Sequence, residues 1–462
     1  MADTVFAESL AYGQMKKRAV SARSYRVKIA PTNGVTFSPG ATIQVDLPGN
    51  QAGTYYNMNQ MYLKIKVKND VAFTWDRAGA LGLIKRLQIS TAGAQICDIN
   101  NYNVLATALM DTDSSLEYKG GYGALLLGTS GDSLSGKVVT TTGAGNEITY
   151  CIPIVLNPLA QTTPHRMIPA FSLSSLQVRC TLDSSAAAVK SGGVAFAANA
   201  FTDVELVCMM TELSSDAQSK VDASTGGKYD ILATSWMQAS GVKANGVNSL
   251  TQNLGFSMSS LERILAIHRP NASVIGADSF TLGNRGTGGL TSYSYSINSE
   301  MFPARPIIVE DQGAEACAEL LVADHSLVDF KKGCGLTNSY TLIATSQYGV
   351  GAFSGTSPQT PKTAAFNLPV PAGSTAGSSA AALDGANFAS NVGTFIAGCE
   401  FENALSDGKS SMIYSGISTM ASTVQFIGSY SAQTECNVDF FAQYSVLLSL
   451  NMRGSGVWAI SV

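Results

Sequence analysis

The segment Tyr62 to Asn69, YLKIKVKN, puts Leu63, Ile65 and Val67 on one side of the chain and Lys64, Lys66 and Lys68 on the other. Successive side chains of an extended strand point to opposite faces, so a period of two over eight residues fits a strand lying between an apolar core and water. A helix would scatter the same residues around its circumference. TIQVDL at 42–47 and SYSYSINS at 292–299 repeat the alternation. The last stretch, NVDFFAQYSVLLSLNMRGSGVWAISV, carries it to Val462 with one break at Arg453-Gly454-Ser455-Gly456. Strand signals begin at Tyr25, and the chain reads as all-β.

Two short helices interrupt the strands. GLIKRLQIS, a TAGA turn and QICDI read as a hairpin, followed by NNYNVLATALMDTD. There Tyr102, Leu105, Leu109 and Met110 recur at helical spacing, with Asn100 or Asn101 as N-cap. In the second half SYSYSINS and FPARPIIVED precede GAEACAELLVADHSL, again a short helix. Strand, turn, strand, helix thus occurs twice, about 210 residues apart, with negligible identity between the copies. The expected organisation is a basic arm at 1–28, one unit at 29–215, a polar linker at 216–230 in SSDAQSKVDASTGGKYD, and a second unit at 231–462. A Gly/Ala/Ser/Pro-rich stretch at 349–393 and a smaller one at 128–147 read as long surface loops.

Only 13% of the 462 residues are charged, against a usual share of about 25%, and the net charge is −4. A surface of Ser, Thr, Asn, Gln, Gly and Ala suits a chain that packs against copies of itself better than one that must stay apart. The exception is the arm, where Lys16, Lys17, Arg18, Arg23, Arg26 and Lys28 face only Asp3 and Glu8. This segment is either a solvated arm or a contact for a phosphate-rich surface, nucleic acid or lipid headgroups. The eight cysteines are never closer than 317 to 334, which leaves no CxxC-type zinc or redox spacing. The first thirty residues hold no apolar signal-peptide core, and no run approaches the ~18 apolar residues of a spanning helix. The expectation is a soluble product made in a reducing compartment.

Catalytic patterns fail one by one. Gly-Asp-Ser-Leu at 131–134 opens the nucleophile block of a lipase and esterase family, but that chemistry needs an Asp three residues before a His. His165, His268 and His325 follow Thr162, Leu265 and Val322 instead. GxGxxG, Walker A and HExxH are missing from the sequence. Asp111-Thr112-Asp113 departs from an EF-hand loop and reads as a helix-ending polar turn. Asn271-Ala272-Ser273 is a sequon without a secretion signal, and His325 after Asp324 reads as a helix-end charge. No enzyme, metal site or cofactor is expected.

The order LIKRLQISTAGAQICDINNYNVL, YSYSINSEMFPARPI with its ELLVA helix, SGISTMASTVQF and the terminal VDFFAQYSVLLSLNMRGSGVWAISV resembles the double jelly-roll major capsid proteins of the adenovirus- and tectivirus-like lineage, polinton-like viruses and adintoviruses included. The likeness runs from about Tyr25 to the end and rests on diffuse patterns. It implies two tandem jelly-roll β-sandwiches with short helices in loops. It further implies a homotrimer of pseudo-hexagonal outline that tiles an icosahedral shell beside penton or minor capsid proteins. The sandwiches would stand upright, the long loops outward. The basic residues Lys16 to Lys28 would then meet the viral genome or an internal membrane under the shell, the virion being the site of action after synthesis in the host cytoplasm. Val457, Trp458, Ile460 and Val462 would form the terminal strand of the second sandwich. Host receptor, genome type and shell size are not legible. Competing readings are a single jelly-roll capsid subunit with a projecting β domain, a receptor- or carbohydrate-binding adhesin, and a surface-layer protein. The adhesin would display aromatic platforms on loops, whereas Trp75, Trp236 and Trp458 sit in strand-like stretches.

Overall fold

The structure is a computed structural model of the full chain. It describes residues 22–461 with breaks at 50–52, 69–72, 92–93, 131–137, 140–146, 164–165, 173–175, 185–189, 192–195, 271–281, 283–284, 310–312, 329–394, 403–414, 431–434 and 452–457. The long loop expected at 349–393, most of that at 128–147 and the Gly-Asp-Ser-Leu turn lie outside the described residues.

The first half contributes β1 (Ala22–Ile29), β2 (Thr42–Leu47), β3 (Thr54–Lys68), β4 (Phe73–Trp75), β5 (Ile84–Thr91) and β6 (Ala94–Ile99). After helices α1 (Tyr102–Asp113), α2 (Leu116–Gly120) and α3 (Tyr122–Leu126) come β7 (Val138–Val139), β8 (Glu147–Pro153), β9 (Thr162–Thr163), β10 (Ile168–Pro169), β11 (Leu176–Leu182), β12 (Lys190–Ser191) and β13 (Phe201–Leu213). One sheet runs β1-β13-β3-β10, with β8 also on β3, and the other β2-β11-β5-β6; a small third sheet is β12-β4-β7. All the pairings are antiparallel. The alternation in β3 does what it should: Leu63, Ile65 and Val67 are buried, and Lys64, Lys66 and Lys68 line the opposite face.

Helix α4 (Ser215–Thr225) leads into the second half: β14 (Lys228–Lys243), β15 (Ser249–Asn253), β16 (Leu261–Pro270), β17 (Leu290–Ile297), β18 (Glu300–Ile308), helix α5 (Ala314–Ala323), β19 (Ala397–Glu400), β20 (Val424–Tyr430), β21 (Cys436–Asn451) and β22 (Trp458–Ser461). Its sheets are β19-β16-β21-β14-β9, with β22 also on β21, and β15-β20-β17-β18. The longest ladder joins β14 to β21 over Lys228↔Asn451 to Lys243↔Cys436. Fold class and duplication are therefore as expected, two antiparallel sandwiches in tandem. Their apolar residues form one continuous core, from Phe37 to Leu448.

Two segments expected to flank or link the units carry regular structure. The polar linker 216–230 is mostly α4: the Ser214 hydroxyl accepts from the Ala217 N–H at 3.4 Å, and Gly226 closes the helix in the left-handed region at φ 64°. None of its residues is buried, so it lacks the apolar stripe by which helices are recognised in sequence. The expected arm 1–28 runs into a strand, Ala22–Ile29, paired along its length with Leu213–Leu206 of β13, and residues 1–21 lie outside the described residues. Tyr25, Val27 and Ile29 supply the alternation, packing partly against the core.

Candidate functional site

The two sandwiches meet through buried charge. Helix α1 turns Val104, Ala108 and Asp111 toward the interior, and Asp111 is fully buried. Its carboxylate takes Lys119 Nζ at 2.7 Å and Arg77 Nη1 at 3.3 Å from the first half, and Arg285 from the second. All three cations are themselves buried. Burial works to raise the Asp111 carboxyl, but Lys119, Arg285 and Arg77 together outweigh it and hold the group below the usual carboxylate range. The cluster locks α1 to the segment ahead of β17, 174 residues away.

Asp439 on β21 is a second such point. It is bound by Arg269 Nε at 2.7 Å and Gln238 Nε2 at 3.2 Å, and by Asn101 Nδ2 from the first half at 3.0 Å. Asn101 does precede α1, as expected of an N-cap, but it is left-handed at φ 49° and its amide serves this junction, with no side-chain cap bond. A strand crosses as well: Thr162 and Thr163 of β9 pair with Ala233 and Leu232 of β14, so the first half completes a sheet of the second. At α4, Tyr55 Oη donates to Gln218 Oε1 at 2.9 Å and Tyr229 Oη to Asp222 Oδ1 at 3.0 Å. A cavity of about 400 Å³ lies among Tyr55, Leu213, Val221, Tyr229 and Ile231 there, with Arg166, Lys228 and Asp230 on its walls.

The outer face of β1-β13-β3 is rich in cations. Arg26 and Lys28 on β1 stand beside Lys64, Lys66 and Lys68 on β3, with Asp203 and Glu205 of β13 between them. Lys64 Nζ contacts Glu205 at 2.9 Å and Asp203 at 3.2 Å, Lys66 contacts Asp203 at 3.1 Å, and Lys28 reaches Glu205 at 3.5 Å. Arg26 reaches the Tyr62 hydroxyl at 3.5 Å, and the Arg23 guanidinium sits 5.5 Å from the Tyr25 ring centre. Three of the six basic residues singled out in the sequence, Arg23, Arg26 and Lys28, are thus held on a strand; Lys16, Lys17 and Arg18 lie outside the described residues. Of the terminal four, Trp458 and Ile460 belong to β22, where Leu450↔Trp458 and Leu448↔Ile460 pair, while Val457 and Val462 lie outside the described residues.

Trp75 and Trp236 are buried, the first donating Nε1 to the Tyr150 hydroxyl at 2.9 Å and the second covered by the Arg263 guanidinium. His268 is fully buried against Tyr430 Oη at 2.9 Å, and burial, then the Lys243 charge, push it down to about 3, so it is neutral at pH 7. The described cysteines are free, with Cys180 and Cys208 pushed up by burial to about 12, far from reactive thiolates. The two junction clusters escaped sequence reasoning. Their one signal was a carboxylate on the buried stripe of α1.

No protein-family profile matches the chain, and no curated protein sequence does. Solved structures match along its whole length. PBCV-1 VP54, fitted into a reconstruction of the virophage Sputnik, superposes with a TM-score of 0.59 at 10% identity, covering 98% of this chain and 99% of that one. The Faustovirus major capsid protein gives 0.54 at 9% identity over 95% and 92%. The mavirus major capsid protein gives 0.51 at 12% over 100% and 96%. The fold is therefore the double jelly roll of viral major capsid proteins, shared at identities where only architecture is common.

Proposed function

We propose that the chain is a viral major capsid protein, a structural subunit rather than an enzyme, that trimerises into pseudo-hexagonal capsomers and tiles an icosahedral virion shell. The observation that carries this reading is the end-to-end match of both sandwiches and their connection to capsid subunits, joined to a junction fixed by buried charge. A tile must keep its two barrels in one orientation to present a constant outline, and Asp111, Asp439 and β9 each tie one half to the other. The low surface charge fits extensive self-contact. So does α3, whose Tyr122 and Leu125 are 75% and 76% exposed, an apolar ridge for a second copy. Lys16, Lys17, Arg18, Arg23, Arg26 and Lys28 would be the residues that contact genome or membrane under the shell. The buried tryptophans weigh against an adhesin.

Size-exclusion chromatography with light scattering and negative-stain imaging test the reading. The expected particle has three times the 48.2 kDa chain mass and a roughly hexagonal footprint. A monodisperse monomer at high protein concentration overturns it.

A further inference from the structure

We infer that His325, Glu400 and Glu402 form a binding site for a divalent first-row transition metal, zinc being the best match. The inference is independent of assembly, since it is read on the folded subunit whether trimeric or not.

The site is built from the meeting of α5 and β19. Gly398 lets them approach: a Cβ there would lie 2.9 Å from Leu320 Cα, so only glycine allows the helix to sit this low on the strand. The helix ends with Asp324 N–H bonding Leu320 O, and His325 turns out in the left-handed region at φ 51°. Glu400 ends β19, and Phe401 goes into the core, its N–H bonding Glu262 O at 2.7 Å. Residues two apart in extended chain share a face, so Glu400 and Glu402 both present to His325.

The imidazole lies between the two carboxylates. Its Nδ1 is 3.7 Å from Glu400 Oε1 and its Nε2 is 3.7 Å from Glu402 Oε2. One ligand atom from each of the three residues falls within 4.8 Å of the others. These separations are too long for hydrogen bonds. A single metal takes only one of the two ring nitrogens. The relevant span is therefore the 4.8 Å within which one nitrogen and one oxygen of each carboxylate fall, against about 3.4 Å between ligands at zinc bonds of ~2.1 Å and tetrahedral angles. Closure from 4.8 Å to about 3.4 Å needs at most about 1.4 Å of movement, shared by the carboxylates and a ring that is 48% exposed.

Glu402 gives the independent sign that something is meant to arrive. Its side chain is nine-tenths buried; the carboxylate has one hydrogen bond, with the Ser415 side chain, while Oε2, the atom facing His325, is buried with no hydrogen-bond partner. A buried carboxylate oxygen left so costs free energy that a cation would recover. The surroundings are acidic: Glu262 and Glu319 stand close, and Glu402 and Glu319 are both raised, by burial first and then by neighbouring carboxylates. Arg263 is nearby but is held by Asp324 at 2.7 Å and Gln443 at 2.6 Å. A nitrogen ligand with two carboxylates suits zinc, cobalt or manganese better than calcium or magnesium, which prefer oxygen alone.

Full-length protein, stripped with chelator, is titrated with zinc chloride by calorimetry and followed by thermal shift, with cobalt absorption reporting ligand type. One equivalent should bind, with a rise in melting temperature, a cobalt spectrum without a thiolate band, and no response to calcium. His325→Ala, at a half-exposed position beyond the helix, should fold normally and bind about tenfold more weakly or worse. Glu400→Gln should do the same, a second route should Glu402→Gln disturb packing. Absence of zinc binding to the wild type, a thiolate band, or unchanged affinity in folded His325→Ala overturns the assignment.

Discussion

Replacing Asp111 by Asn keeps the side-chain shape and removes the negative charge that Arg77, Lys119 and Arg285, all buried, share. Breaking a buried pair by deleting one partner costs about 3–5 kcal/mol, because the other charge is stranded away from water. Here three cations lose a partner together, so the expected loss is at or above the upper end of that range. An ordinary domain has only about 5–15 kcal/mol in all. If both sandwiches melt as one unit, about 2.1 cal/mol/K per residue gives roughly 1 kcal/mol per degree, and 4 kcal/mol lowers Tm by about 4 °C. If only one sandwich melts, the shift is about double. Urea titration by tryptophan fluorescence supplies the free energy and calorimetry the Tm. The same carboxylate sets an acid limit. Its folded pKa is depressed, so its stabilisation is present above the unfolded value of about 3.9 and is lost as pH falls below that value toward the folded one. Asp111→Asn should flatten the acid limb of the stability curve. A variant within 1 kcal/mol of the wild type at pH 7 would refute the argument that this cluster fastens the halves.

A chain ending before Val457 lacks β22, leaving Leu447–Leu450 of β21 without that neighbour, and should fail to give a soluble trimer by size exclusion; normal trimers would show the strand to be dispensable. His268, pushed down to about 3 by burial and Lys243, is charged in the unfolded chain below pH 6.5 but neutral in the fold. Unfolding then takes up a proton, so going from pH 7 to 5 should cost about 2 kcal/mol, and the slope should vanish in a variant whose residue 268 does not titrate. An unchanged slope in that variant would place the dependence elsewhere.

The strands were readable wherever one face meets core and the other water. β3, the β5-β6 hairpin, α1 and α5 follow directly from period two or from helical spacing. Helix α4 was not readable, because a helix with no buried residue leaves no periodic trace; Ser214 and Gly226 were its only marks. β1 was legible from Tyr25 on, where Tyr25, Val27 and Ile29 alternate with Arg26 and Lys28; its first three residues, Ala22 to Ser24, are exposed and leave no alternation. The junction and the His325 cluster depend on residues 174 and 75 or more positions apart, and side chains that meet only through tertiary packing leave no local pattern. What sequence did offer was a charge in the wrong place, Asp111 on an apolar stripe, and a pair of glutamates flanking a core phenylalanine.

The middle strand of the second large sheet is β21, and its partner across the whole ladder, β14, ends 193 residues earlier at Lys243. On a ribosome adding about 5–20 residues per second, β14 must wait about 10–40 s with an open edge before that neighbour leaves the exit tunnel. During that time the newborn polypeptide displays an unsatisfied template of sixteen residues to every other copy on the same message. A cell making this protein in quantity therefore has to shelter the unfinished half, so its yield is governed by chaperone supply as much as by the finished subunit's stability.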